Sequence, residues 1–407
     1  MSNRNRRSVL TAGAALSTGG LFASLGAADS DRTGQSRDPE FDVDAVSDED
    51  WPSYRGGPGH ARFVPDGPEF DGRDLEAAWS ADHDGAVAVA DDTVYTATTD
   101  GVVALETEDG TTVWENDDVE ATGPAVGGES VSLRGDEIVA LDRADGSVRW
   151  ESDLGVEEWT GSHTVAYGAV YTVADGTLYA LEADDGSVRW TTDSVGFVFS
   201  FNAFKPSSDE FTTGTAASNG LVYAGTGSGP VAFDPETGDE VWRSRRPYAD
   251  GTDREIYATP DAVLVGGYSS TECGIHDAET GEFRGSASTE SIHEPALGEE
   301  TYFADTSHAF AAGSLEDGAD DWQRAGRDSH GQGVVCGETV YVYFRTAGDP
   351  SEVPYHEELV AFDRGDGSEK WTLSRKRAPV GEIRAISGDT VYVDYEGELV
   401  ALRDLDG

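Results

Sequence analysis

VYTATTDGVVALETEDGTTVW at residues 94–114, VYTVADGTLYALEADDGSVRW at 170–190 and VYAGTGSGPVAFDPETGDEVW at 222–242 are three copies of one unit. Each has 21 residues in the same register. Each opens on a β-branched and aromatic pair, passes a glycine turn and runs on as an alternating apolar strand. An acidic turn ending in glycine follows, and the unit closes on tryptophan. The alternation predicts strands with one packed face. Asp100-Gly101 and Asp175-Gly176 suit tight hairpins whose centre needs positive φ. The last glycine stands four residues before the tryptophan at Gly110–Trp114, Gly146–Trp150, Gly186–Trp190, Gly238–Trp242, Gly318–Trp322 and Gly367–Trp371. One copy departs: Gly281 is followed at that spacing by Gly285.

A single four-stranded unit cannot bury both faces, so each must stack on neighbours with the indole between them. A ring of such sheets is a β-propeller. The aromatic strand starts eight times, at Val94, Val131, Val170, Val222, Val263, Thr301, Val340 and Val391. The closing position occurs only seven times, at 114, 150, 190, 242, 285, 322 and 371. The eighth unit, VYVDYEGELVALRDLDG (391–407), stops at its acidic turn, and Leu75-Glu76-Ala77-Ala78-Trp79 fits its missing outer strand. The expected fold is therefore all-β: an eight-bladed β-propeller of four-stranded antiparallel blades over residues 51–407. Its last blade is closed by the N-terminal strand, which leaves no open sheet edge.

These units resemble the repeats of the pyrroloquinoline quinone (PQQ) enzyme family. More closely they resemble the PQQ-like propellers of exported haloarchaeal proteins and of the bacterial outer-membrane assembly lipoprotein. Trp51-Pro52-Ser53-Tyr54-Arg55-Gly56-Gly57 is similar to the lead-in of many of the haloarchaeal proteins. The motif is specific for the fold and not for a function. For the quinone-dependent dehydrogenases the resemblance implies a vicinal cysteine pair, a tryptophan beneath the quinone, and a calcium held by Glu, Asn and Asp. Cys273 and Cys336 are the only cysteines and cannot be vicinal; Asn116, Asn202 and Asn219 sit in no matching motif. No PQQ, other cofactor or metal is expected. In register, Cys273 falls on the third strand of blade five and Cys336 on the first strand of blade seven, as two buried small side chains.

Charge narrows the class further. With 28 basic and 79 acidic residues the formal net charge is −51, which argues against a nucleic-acid partner. The acid is spread along the chain. At molar salt, where the Debye length is roughly 3 Å, such repulsion is screened. The composition resembles that of proteins from salt-loving archaea. Arg6-Arg7 followed by Ser8-Val9-Leu10 and a weakly apolar stretch resembles a twin-arginine export signal over residues 1–28. Residues 29–50 read as an acidic flexible linker. No other segment is long and apolar enough to span a bilayer. An extracellular or cell-surface monomer is expected.

Chemistry-bearing residues are sparse. The turns Asp142–Gly146 and Asp363–Gly367 lack the alternate acids and twelfth-position glutamate of a calcium loop. No phosphate loop, nucleophile elbow or zinc-protease motif occurs. Two regions remain. His83 with Asp84, His163, Arg254, His293 with Glu294, His330 and Arg384 stand before or early in innermost strands, and are candidates for a ligand site at the mouth of the central channel. Two loops break the regular spacing: 191–214, with Phe197, Phe199, Phe201 and Phe204, and 345–358. The phenylalanine loop is the candidate partner contact. The function expected is an exported, non-catalytic scaffold that binds protein or cell-envelope partners. The alternatives are a ligand- or metal-binding propeller, possibly an enzyme, with its site at the channel mouth, and, more remotely, a PQQ-dependent dehydrogenase.

Overall fold

The structure is a computed structural model that describes residues 50–83, 85–98, 101–198, 206–244, 254–267, 273–287, 295–305, 309–325, 333–345 and 355–404. It is an eight-bladed propeller of four-stranded antiparallel sheets. Blade 1 comprises Ala86–Ala90, Thr93–Thr98, Gly101–Glu106 and Thr112–Asn116, from the axis outward. Blades 2 to 7 repeat that order. Blade 8 takes Glu382–Ser387, Thr390–Tyr395 and Glu398–Asp404 from the C-terminus, and Leu75–Ala81 as its outer strand. The expected closure holds: Trp79 pairs with Ala401 and Leu75 with Asp404.

The repeated tryptophans are why the blades stack. Trp114 is buried and donates its indole N–H to the Arg143 carbonyl of the next blade's acidic turn at 2.9 Å. Trp79, Trp150, Trp190, Trp242 and Trp322 make the same bond to Thr107, Ala183, Pro235, Ala278 and Arg364, at 2.8 to 3.1 Å. Each ring lies against the turn glycine of the blade it meets. At Gly146, where φ is +70°, a methyl group would come within 2.4 Å of the Trp114 ring. The turn glycines at 110, 146, 186, 238, 281 and 367 thus each serve the neighbouring blade's indole.

Two junctions differ. Blade 5 has Gly285 in place of the indole, and there the backbones meet: a methyl group at Gly285 would lie 2.2 Å from the Asp317 carbonyl oxygen. Blade 7's Trp371 has no acidic turn of blade 8 to dock on. It donates to the Phe70 carbonyl at 2.7 Å and packs on Gly72 instead. The N-terminal segment therefore supplies both the outer strand and the docking turn of the last blade.

Strand direction gives the ring two unlike faces. The first-to-second strand hairpins lie on one face and are two or three residues long, as at 91–92 and 259–261. The acidic turns, five or six residues long, share that face. At the opposite face the outer strands end, as at Thr192, Arg243, Ala287, Ala325 and Ser374, and so does the second strand of blade 7, at Phe344. Both irregular loops thus spring from one face, called the loop face below.

Candidate functional site

The axis is filled by the chain itself. The innermost strands present unpaired backbone groups to the channel, and residues 51–64 satisfy them blade by blade. Trp51 exchanges two backbone hydrogen bonds with Val89 of blade 1. The carbonyls of Pro52, Pro58, Gly59, Ala61 and Arg62 then accept from Val126, Ala217, Ala258, Leu297 and Val335, in blades 2, 4, 5, 6 and 7, at 2.7 to 2.9 Å. Phe63–Val64 pairs in parallel with the inner strand of blade 7. Side chains reach the remaining two blades. His60 Nε2 lies 2.9 Å from Thr164 Oγ1 in blade 3, and Arg62 Nη2 donates to the Ile383 carbonyl in blade 8 at 2.9 Å. Left-handed backbone at His60 (φ 55°) and Arg62 (φ 53°) turns the segment around the ring.

This plug is buried and basic. Arg55, His60 and Arg62 are each at most 4% exposed. Arg55 donates to the Pro295 and His60 carbonyls and lies over the Tyr257 ring; Arg62 also donates to the Gly333 carbonyl. Thr164 Oγ1 donates to the Thr215 carbonyl, so the His60 bond runs from Nε2–H to Thr164 and leaves Nδ1 unprotonated, 3.5 Å from Ser53 Oγ. Burial, helped by Arg55 and His163, pushes the His60 pKa down to about 3. Sequence reasoning passed over this role. One signal was available: residues 51–64 contain no carboxylate in a chain with 79 of them, as a buried segment should.

Of the residues expected at the channel mouth, His163 lies within the inner strand Trp159–Ala166, buried beside the plug. Its Nε2 is 3.3 Å from the Ser132 carbonyl, and burial with nearby Arg134 brings its pKa to about 4. His83 precedes blade 1 and is half-buried. Arg254 opens the inner strand of blade 5, next to Thr213 of blade 4. Asp84, His293, Glu294 and His330 lie outside the described residues, as do Phe199, Phe201 and Phe204. Phe197 sits on Val195–Val198, which pairs with Pro206–Asp209 as a hairpin between blades 3 and 4. Val195 at its base packs with Val173 and Phe233. The signal and linker, residues 1–28 and 29–50, lie outside the described residues apart from Asp50.

Arg384 has different company. It belongs to a cleft of about 380 Å³ between blades 7 and 8 on the loop face. Arg384 pairs with Asp394, with Glu382 at 4.0 Å; Arg345 pairs with Glu382. Arg375 bridges Glu357 at 3.2 Å and Glu396 at 2.8 Å, and lies 4.6 Å from the Tyr395 ring centre. Tyr343 completes the wall. Three guanidinium groups and four carboxylates thus alternate around one opening.

A family model described as "Outer membrane protein assembly factor BamB" matches residues 69–135, 117–324 and 274–407. The chain belongs to this PQQ-like repeat family. BamB from Moraxella catarrhalis is similar at 17% identity, over 82% of this chain and 98% of that one, with a TM-score of 0.56. The quinohemoprotein alcohol dehydrogenase of Comamonas testosteroni is similar at 13% identity, over 90% and 82%, with a TM-score of 0.64. The computationally designed Ika8 protein matches at 13% identity and a TM-score of 0.58, over 81% and 99%. At such identities these likenesses show the fold. No curated protein matches the chain.

The family contains quinone enzymes, and the residues here do not fit the donor set that the resemblance implies. Cys273 starts the third strand of blade 5 and Cys336 ends the first strand of blade 7; both are buried and neither is in a disulfide. Cys336 Sγ donates to the Pro68 carbonyl, and burial pushes its pKa up to about 12, so it is held as a thiol. Among the described residues no group of three His, Cys, Asp or Glu side chains is arranged to hold a metal ion. The acidic turns spend their carboxylates on themselves: Asp363 Oδ1 accepts from the N–H of Gly365 and Asp366.

Proposed function

We propose that this chain is an exported, non-catalytic propeller scaffold that holds a protein or cell-envelope partner on its loop face. The observation that carries the reading is the asymmetry of the two faces. One face has short, uniform hairpins and acidic turns, while the strand ends from which both irregular loops and the blade-to-blade connections depart, and the charged cleft, share the other. Long loops on a rigid ring are where propellers of many functions place their contacts. The description of the family as an assembly factor agrees with a scaffold role. The twin-arginine pair Arg6-Arg7 supports export, and that route suits a ring whose N-terminal segment joins every blade. The net charge of −51 suits work at molar salt.

The test is site-specific photo-cross-linking in intact cells at high salt. Probes replace exposed residues of the loop face (Glu157, Asp193, Lys376) or of the opposite face (Asp92, Asp185, Glu316). Cross-links to one discrete partner from the loop face alone are expected. Equal labelling from both faces, or none from the loop face, would refute the assignment. Changing Arg6 and Arg7 to lysine is expected to leave folded precursor inside the cell; unchanged secretion would remove the export part of the reading.

A further inference from the structure

The cleft between blades 7 and 8 also specifies the chemistry of a ligand. Each of its charged groups already faces an opposite charge: Arg345 with Glu382, Arg384 with Asp394, Arg375 with Glu357 and Glu396. An anion would have to displace a carboxylate from its arginine. A cation would have to strip a carboxylate while approaching three guanidinium groups. Either exchange leaves a partly buried charge without its partner, which is costly. Hydroxyl groups disturb neither sign. A hydroxyl donates to a carboxylate oxygen and accepts from a guanidinium N–H, so a vicinal pair can bridge an arginine–carboxylate couple while the couple stays intact. Arg384 adds a donor in need: its Nε–H is buried and has no hydrogen-bond partner. The partly exposed Tyr395 offers ring surface for the apolar face of a pyranose, and Arg375 against it holds that ring in place, while the buried Tyr343 backs the wall. The volume, about 380 Å³, lies at the small end of the ligand-pocket range.

We propose that this cleft binds a neutral carbohydrate, one saccharide unit of a cell-envelope polymer. Hydrogen bonding and ring contact survive molar salt, where a charge-steered contact would be screened. The inference deepens the partner-binding reading and rests on it only for the source of the sugar.

The experiment is titration calorimetry on the purified full chain at molar salt. The probes are glucose, galactose, N-acetylglucosamine and their β-linked disaccharides, with glucuronate and glucosamine as charged counterparts. Neutral sugars are expected to bind with dissociation constants on the order of 1 mM or tighter. Arg384→Gln and Glu382→Gln should each weaken binding about tenfold, and Arg364→Gln, at the junction of blades 6 and 7, should leave it unchanged. Tyr395→Leu, which removes the ring and keeps an apolar side chain, should weaken it a few-fold even if the charge variants misfold. No binding of any neutral sugar, tighter binding of a charged one, or indifference to both Arg384→Gln and Tyr395→Leu would overturn the proposal. A failed cross-linking experiment would not touch this result, so the two readings fall separately.

Discussion

The rim and the axis of this propeller are held together in opposite ways. At the rim one device recurs: an indole from one blade lies on the turn glycine of the next and donates to a turn carbonyl, as Trp114 does with Gly146 and Arg143. At the axis nothing recurs. A single irregular segment, residues 51–64, meets each blade with a different residue, by main chain in six blades and through His60 and Arg62 in the other two. The rim divides its stabilisation among local contacts between neighbours. The axis concentrates it in one strap that every blade shares. The rim should therefore tolerate a single loss, whereas the axis should fail as a unit.

Deleting residues 51–64 while keeping Leu75–Ala81 probes that contrast most severely. It leaves backbone donors of six inner strands without their acceptors, at about 1–3 kcal/mol for each group that water does not reach. The expected outcome is loss of cooperative unfolding at molar salt, followed by calorimetry and near-ultraviolet dichroism. A deletion protein with a thermal midpoint near wild type would show that the rim alone closes the ring.

One rim contact should cost less. Trp114→Ala is expected to lower stability by about 3–5 kcal/mol while the ring stays folded. Gly146→Ala attacks the same contact from the other side, through positive φ and the 2.4 Å approach to the indole, and should cost on the order of 2 kcal/mol. The double variant should cost less than the sum, because both changes remove one contact. Additive losses in denaturant titrations would mean that indole and glycine act independently.

The axis carries a pH signature of its own. His60 and His163 have folded pKa values of about 3 and 4, below the ordinary histidine value of 6.5. The unfolded chain therefore binds more protons between those limits. Their contribution to stability is complete above about pH 6.5 and is lost as pH falls toward 4 and then 3. A decline of a few kcal/mol between pH 7 and pH 4 is expected from the pair. His163→Gln should lower stability at pH 7 and flatten that decline. An unchanged slope in the variant would exclude His163 as a source.

A surface ion pair marks the lower limit of the comparison. Arg149 reaches Glu129 at 3.2 Å, and Glu129 is largely exposed. Glu129→Gln should change stability by no more than about 0.5 kcal/mol at molar salt. A larger loss would show that ion pairs on this acidic surface act as a network.

The sequence by itself determined the rim. Strand alternation, turn glycines and closing tryptophans are local chemistry repeated at a fixed spacing, so the blade count, the departure at Gly285 and the closing strand at Trp79 could all be read from it. It also placed Cys273 and Cys336 on their strands. The tertiary structure alone decided the axis. Residues 51–64 form no repeat and no periodic element, and their partners lie up to about 320 residues away, as Arg62 and Ile383 do. Histidines and arginines picked out by their position near inner strands were parted by context: His163 went under the plug and Arg384 into the cleft between blades 7 and 8. Local pattern specifies how a strand pairs with its neighbour in sequence. What fills the space that eight blades enclose is set only when all eight are in place.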